Sequence, residues 1–259
     1  MPEQVPPVGV ITGPGLYKFF THFYDPKTKK RVPFEERMVH TPYGVCYCRA
    51  GRIYGLDTYF ISRHGEKESP ERRPRHRANM WALTSLGAKR IVSTSTGRSL
   101  NKEIVPGSAV LPDQYMDLTG QMHSFHGTPK VMDDPFCPDL RSIANSVGNG
   151  LGMLMVNKGN YAGMTGPSFE TEAEAKMIAK LGGDLVGTSV VSEVKLAREM
   201  AICYQAVVLI TRYEEFSADI DKFEKGVAHV KSLDEDVVKL IMGIIAYIPR
   251  MKTCHCWER

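Results

Sequence analysis

Several short stretches carry side chains able to hold an anion and a flat ring together. One is Ser168-Phe169-Glu170, which follows a tight Gly166-Pro167 turn. Another is Arg63-His64, at the end of a strand-like run where a ligand pocket would open. A third is residues 93–99, Ser-Thr-Ser-Thr-Gly-Arg-Ser. Backbone N–H groups and hydroxyls packed that densely after a strand can hold an oxyanion. An ordinary Ser/Thr-rich turn has the same composition. Gly13-Pro14-Gly15 follows the β-branched run 8–12, where phosphate cradles are common, though a glycine loop alone identifies nothing.

The surrounding sequence says what must position these groups. Thr171 and Glu174 have the T-x-x-E spacing of a capping box, which predicts a helix start. Ala173, Met177, Ile178 and Leu181 repeat at helical spacing, and Gly182-Gly183 ends the helix. Residues 184–189 predict a buried strand, and Ser192 can cap a second helix over 193–200. A polar loop fixed between two helices beside a strand end is a usual ligand site in an α/β protein. Upstream, runs 38–40, 45–49 and 58–62 predict strands, with turns at Tyr43-Gly44 and Ala50-Gly51. Residues 77–86 predict a helix. Further strands are expected at 91–92, 108–111, 152–156 and 202–211, and helices at 138–147 and 233–247. The charged run 66–77 reads as a solvated loop, apart from Arg63 and His64 just before it. Residues 114–137 read as irregular, with His123 and His126 on the surface. Alternating strands and helices predict an α/β fold in which helices flank a mixed sheet, as one domain over 1–259.

The net charge of +4 is mild; it suits an anionic small ligand and does not argue for nucleic acid. The longest apolar run, 240–248, is too short to span a bilayer, and no signal peptide is recognisable. A soluble, cytoplasmic protein with no membrane partner is expected. The six cysteines, Cys46, Cys48, Cys137, Cys203, Cys254 and Cys256, are expected to be reduced thiols. Four thiols with His255 could ligate zinc, but C-x-C is not the usual C-x-x-C spacing. Cys46 and Cys48 also fall on one face of a strand, which packing alone explains. No metal is expected.

Longer motifs carry a resemblance. GPSFET-x-AE, LGGDLVGTSVVSEVKLARE and a strand ending in LIT resemble the trimeric purine nucleoside phosphorylase family. SRHG, RANMWAL, the hydroxyl-rich stretch, EIVPGSAVLPDQYMD and DPFCP are similar to its 5′-methylthioadenosine phosphorylase branch. The resemblance covers residues 8–248. It implies a mixed-sheet, partly barrel-like α/β fold and a homotrimer. The implied reaction is cleavage of purine nucleosides by phosphate to a free base and a (deoxy)ribose 1-phosphate. No cofactor is implied; phosphate is the co-substrate. Breaking the N-glycosidic bond puts positive charge on the sugar and negative charge on the purine. Catalysis then requires a phosphate oxygen in line beneath the sugar and stabilisation of the departing base.

Carried over position by position, the resemblance assigns phosphate to Gly13, Arg63, His64, Thr94, Ser95 and Ser189. Arg63 offers a planar donor fork suited to that anion. It assigns the nucleoside to Ser168, Phe169, Glu170, Thr188 and Arg212, with Glu170, Arg212 and His64 as catalytic. Glu170 can accept from N1–H of a 6-oxopurine, whereas an adenine N1 has no proton to give, so inosine and guanosine are favoured. Three positions depart from the family. Pro14 stands where a serine or threonine touches phosphate, and it has neither hydroxyl nor N–H. Thr188 replaces a methionine beneath the ribose. Arg212 replaces the Asn or Asp that handles purine N7. The loop 119–135 is also shorter, which affects the contact from a neighbouring subunit. Arg212 has two readings. It can donate to O6 and N7 of a 6-oxopurine, or it can pair with Glu170 and fill the pocket. The second reading gives an impaired homologue acting as a binding or structural subunit. A nucleosidase using water is a third reading, motivated by Pro14. His229 falls near the family's 5′ contacts, although a place on a helix surface also explains it.

Overall fold

A computed structural model describes residues 5–13, 16, 32–65, 74–213, 234–248 and 253–258. Pro14, His229 and residues 66–73 lie outside the described residues.

Strands β2 (Glu35–Thr41), β3 (Gly44–Ile53) and β4 (Leu56–Ser62) form an antiparallel meander. The second turn lies at Tyr54-Gly55, with φ of 49° and 81°. Ala50 and Gly51, expected as that turn, sit inside the ladder opposite Tyr59 and Thr58. Gly51 is there for space: a Cβ would stand 2.5 Å from the Phe34 ring, which packs edge-on against Phe60.

β1 (Val8–Thr12) pairs in parallel with β4 on one side and with β5 (Arg90–Ser99) on the other. β5 is the hub. It runs parallel to β11 (Cys203–Tyr213) along its whole length, and its end pairs antiparallel with β10 (Leu185–Gly187). β9 (Asn160–Gly163) and β7 (Gln114–Asp117) continue from β10 in parallel. The short strand β6 (Ala109–Val110) pairs antiparallel with β11, and β8 (Met155–Val156) pairs in parallel with β6. The result is one mixed sheet. Residues 93–99 are therefore strand throughout rather than a loop, so their side chains alternate between faces. β7 lies within the stretch expected to be irregular; its residues are polar or half-buried, so no apolar run announces it.

Helices cover both faces because β11 is apolar on both. Val207 and Leu209 face α2 (Pro138–Gly150) and α5 (Asp234–Tyr247), with Leu140, Leu240 and Ile244 in one core. Ala206, Val208 and Ile210 face α1 (His76–Ser85) and α4 (Val190–Glu199), with Leu83, Val190 and Val194 in the other. A strand buried on both faces reads as a continuous apolar run, as 202–211 does. Among the described residues, no helix is long and apolar enough to cross a membrane.

α3 (Glu172–Lys180) begins at the expected capping box. Glu174 N donates to Thr171 Oγ1 at 3.2 Å, and Thr171 N donates to the Glu174 carboxylate at 2.7 Å. The buried stripe is Ala175 and Ile178, while Met177 and Leu181 are exposed. α4 starts earlier than expected, with Ser189 at its N-cap, and places Ser192 inside the helix. Thr171→Ala removes the hydroxyl that accepts from Glu174 N, while the backbone N–H at 171 can still donate to Glu174, and is expected to cost about 1 kcal/mol. That corresponds to a melting temperature roughly 2–4 °C lower in a chain of this size. An unchanged melt would contradict the cap's contribution.

Candidate active site

The parallel strands β1 and β4 end together, with Thr12 opposite Ser62, so Gly13 and Arg63 emerge side by side. Arg63 N donates to Thr12 O at 2.9 Å, and Gly13 N donates to Thr94 Oγ1 at 3.3 Å. The Arg63 side chain turns inward and is 2% exposed. Its Nε donates to Glu193 Oε1 at 2.6 Å, and its Nη2 donates to Ser93 Oγ at 2.7 Å and Thr94 O at 2.8 Å. Its Nη1 faces Gly13, where a Cβ would lie 3.5 Å away. The fork expected to lie open to an anion is thus largely committed to α4 and β5.

Glu193 is the centre of this network. It accepts from Ser93 Oγ at 2.8 Å and Tyr204 OH at 2.7 Å, and His76 Nδ1 lies 3.5 Å away. Burial opposes its charge, but Arg63 and His76 outweigh burial and hold the carboxyl well below the usual range. Glu193 was expected only as the first residue of a helix. Nothing local marks it, since its partner Arg63 is 130 residues away.

Of the other expected anion ligands, Thr94 joins Gly13 and Arg63. Ser95 Oγ donates instead to Thr96 O at 3.4 Å. Ser189 N donates to Tyr161 OH at 3.4 Å, and its side chain makes no cap bond. His64 is half-buried at the turn that follows β4.

The second half of the site lies at the far ends of β5 and β11. After a bulge that skips Thr211, Arg98 and Arg212 stand opposite each other in register. Both guanidiniums lie over the half-exposed Phe169 ring, 4.6 Å and 5.4 Å from its centroid. Such contacts are worth roughly 0.5–2 kcal/mol each. Glu170 is ion-paired to Arg98 Nη2, and its side chain is 1% exposed. Glu170 thus has Arg98 as an acid–guanidinium partner, a pairing that the sequence did not suggest. Arg98 was present in the expected hydroxyl-rich stretch, but no role was given to it; the signal was one cation at the end of a strand of small residues. Ser168 and Thr188 are both exposed, and a Cβ on Gly166 would touch the Thr188 methyl at 3.6 Å.

The loop 119–135 folds onto its own chain. Glu199 of α4 accepts from Ser124 Oγ, Phe125 N and His126 N at 2.9, 2.6 and 2.8 Å. His123 is half-buried rather than on the surface; its Nε2 lies 3.0 Å from Ser192 Oγ, and burial lowers its pKa. His126 is exposed, as expected. Among the described residues, the one cluster with metal-ligand spacing is Cys137, Cys203, Cys254 and Cys256. Cys203 opens β11, whereas Arg212 is near its other end.

A family model described as the phosphorylase superfamily matches residues 13–241. The chain is 36% identical over 260 residues to S-methyl-5′-thioadenosine phosphorylase of Pyrococcus abyssi, covering 97% of this chain and 96% of that protein. It is 33% identical over 266 residues to 6-oxopurine nucleoside phosphorylase of Pyrococcus furiosus, covering 97% of each. In fold it is similar to methylthioadenosine phosphorylase from Schistosoma mansoni in complex with adenine. That likeness has a TM-score of 0.81 at 24% identity and covers 98% and 95% of the two chains.

Proposed function

The chain belongs to the phosphorylase superfamily, and from that premise we propose that it cleaves purine nucleosides with inorganic phosphate, preferring 6-oxopurines such as inosine and guanosine. The products are the free base and (deoxy)ribose 1-phosphate. The observation that carries this reading is the pair Arg98 and Arg212 around Phe169. As the glycosidic bond breaks, the purine gathers negative charge, and fixed cations beside it stabilise the transition state. A 6-oxopurine presents two acceptors, O6 and N7, on the edge an arginine fork matches; an adenine presents an N6 donor beside N7. In this reading Arg212 takes that edge, and Arg98 holds Glu170 ionised to accept N1–H. Ser168 and Thr188 meet the sugar. Arg63 Nη1, His64, Thr94, Ser95, Ser189 and the Gly13 turn form the phosphate end. The protein works without a cofactor, as a cytoplasmic homotrimer.

Relatives with two different substrate names make the preference a matter for measurement. Base release from inosine, guanosine and methylthioadenosine, with and without phosphate, tests it. Release is expected to require phosphate, with kcat/KM highest for inosine or guanosine. A preference for methylthioadenosine would overturn the oxopurine assignment. No release from any of them at high protein concentration would instead favour a binding subunit.

Gly13→Ala tests the phosphate end by itself. Among the described residues, a Cβ there meets only ordinary contacts, Arg63 Nη1 at 3.5 Å and Thr94 O at 3.7 Å. The fold tolerates it, but the methyl takes the space in front of Nη1. The phosphate KM is expected to rise about tenfold, with the nucleoside KM and the melting temperature little changed. An unchanged phosphate KM would remove Gly13 from the site.

A further inference from the structure

Four cysteines from separate parts of the chain converge in one core. Cys137 is the N-cap of α2, Cys203 opens β11, and Cys254 and Cys256 lie in the C-terminal tail. All four are buried, and their Sγ atoms lie within 4.8 Å of one another. Cys254 Sγ stands 3.6 Å from Cys137 Sγ and 3.4 Å from Cys203 Sγ. Four thiolates around a zinc ion, with bonds of ~2.3 Å, place the sulfurs about 3.8 Å apart. A disulfide needs about 2.05 Å. The observed spacing is close to that of ligands around a common ion. The two C-x-C pairs do not meet: Cys46 and Cys48 sit in the other core, on the α1 side. His255 is exposed and beside Glu258, so it takes no part.

The charges around the cluster give independent support. Arg90 stands opposite Cys203 in the β5–β11 register, and its guanidinium lies 5.5 Å over the ring of Trp257, the neighbour of Cys256. Arg90 is 3% exposed, yet among the described residues its buried Nη1 and Nη2 have no hydrogen-bond partner. Arg198 is equally buried, and among the described residues its Nε and Nη1 likewise have no partner. Buried guanidiniums with donors left over are costly unless a counter-charge stands nearby. A divalent ion held by four thiolates is a dianion, and it would supply that charge beside Arg90.

We propose that Cys137, Cys203, Cys254 and Cys256 bind one zinc ion as a closed structural tetrathiolate site. The site fastens the tail to α2 and β11. Asp139 in the first turn of α2 reinforces the same junction, accepting from Thr253 N and Cys254 N at 3.1 and 2.9 Å. Four protein ligands leave no open position, so the ion takes no part in catalysis. About 30 Å of strand separates Cys203 from Arg212. Binding releases the thiol protons to solvent, so affinity falls as pH falls.

The test uses the full chain, stripped of metal by a chelator under reductant and titrated with Co2+. About one equivalent is expected to bind, giving the sulfur-to-cobalt charge-transfer band and the intense visible bands of a tetrahedral thiolate site. Zn2+ then bleaches these bands and raises the melting temperature. The double variant C254S/C256S loses the bands, and His255→Ala keeps them. Absence of those bands from the reduced wild-type chain overturns the proposal. So does a chain whose four thiols are paired as disulfides and take up no metal after reduction.

Discussion

Glu193→Gln is expected to lower the melting temperature by roughly 10 °C. Breaking a buried ion pair by removing one charge costs about 3–5 kcal/mol, because the other charge stays buried alone. In a chain of this length each kcal/mol is worth roughly 2–4 °C. Glutamine keeps the volume and can still accept from Tyr204 OH or Ser93 Oγ, so the loss reports on charge and not on a cavity. The same carboxylate sets a pH dependence. Its pKa is depressed in the folded state, so its stabilisation is present above the ordinary glutamate value and is lost as pH falls below it. Wild type and Glu193→Gln should therefore differ at neutral pH, begin to converge as pH falls below about 4.3, and meet only below the far lower folded-state value. Thermal melts across that range check both points. A variant within about 1 kcal/mol of wild type at pH 7 would show that Arg63 finds another counter-charge.

Arg212→Met is expected to lower kcat/KM for inosine roughly 10- to 100-fold, the worth of a lost two-bond contact to a purine edge. Methionine keeps an unbranched side chain against Phe169, so the ring need not collapse into the space. For methylthioadenosine the loss should be much smaller, since an adenine edge does not accept both bonds. The selectivity ratio therefore carries the result, not the rate itself. Equal losses with both nucleosides would remove Arg212 from base recognition and leave it a packing role over Phe169.

What could be read from the sequence was local or periodic. The T-x-x-E box at Thr171–Glu174 is a contact within one turn of chain, and it stands as read. The run 202–211 announced a strand buried on both faces because every second residue serves a different core. Interactions between distant residues could not be read. Arg63 could be placed at a strand end, but not its commitment to Glu193. The turn after β3 was misplaced because Ala50-Gly51 and Tyr54-Gly55 look alike locally. Only the Phe34 ring, brought in from outside the hairpin, explains the glycine inside the strand. Arg98 was hidden by its neighbours: a hydroxyl-rich stretch reads as a loop, and only the pairing with β11 sets Arg98 beside Arg212. The four converging cysteines come from three separate regions of the chain, and no spacing rule unites them.

The central claim is that phosphate, and not water, takes the sugar from the purine. Phosphorus NMR of the protein with inosine and inorganic phosphate tests it most directly. The account predicts a sugar 1-phosphate resonance that grows as free hypoxanthine appears, one for one. Hypoxanthine released with free ribose and no phosphate ester, or no hypoxanthine at all, would contradict it.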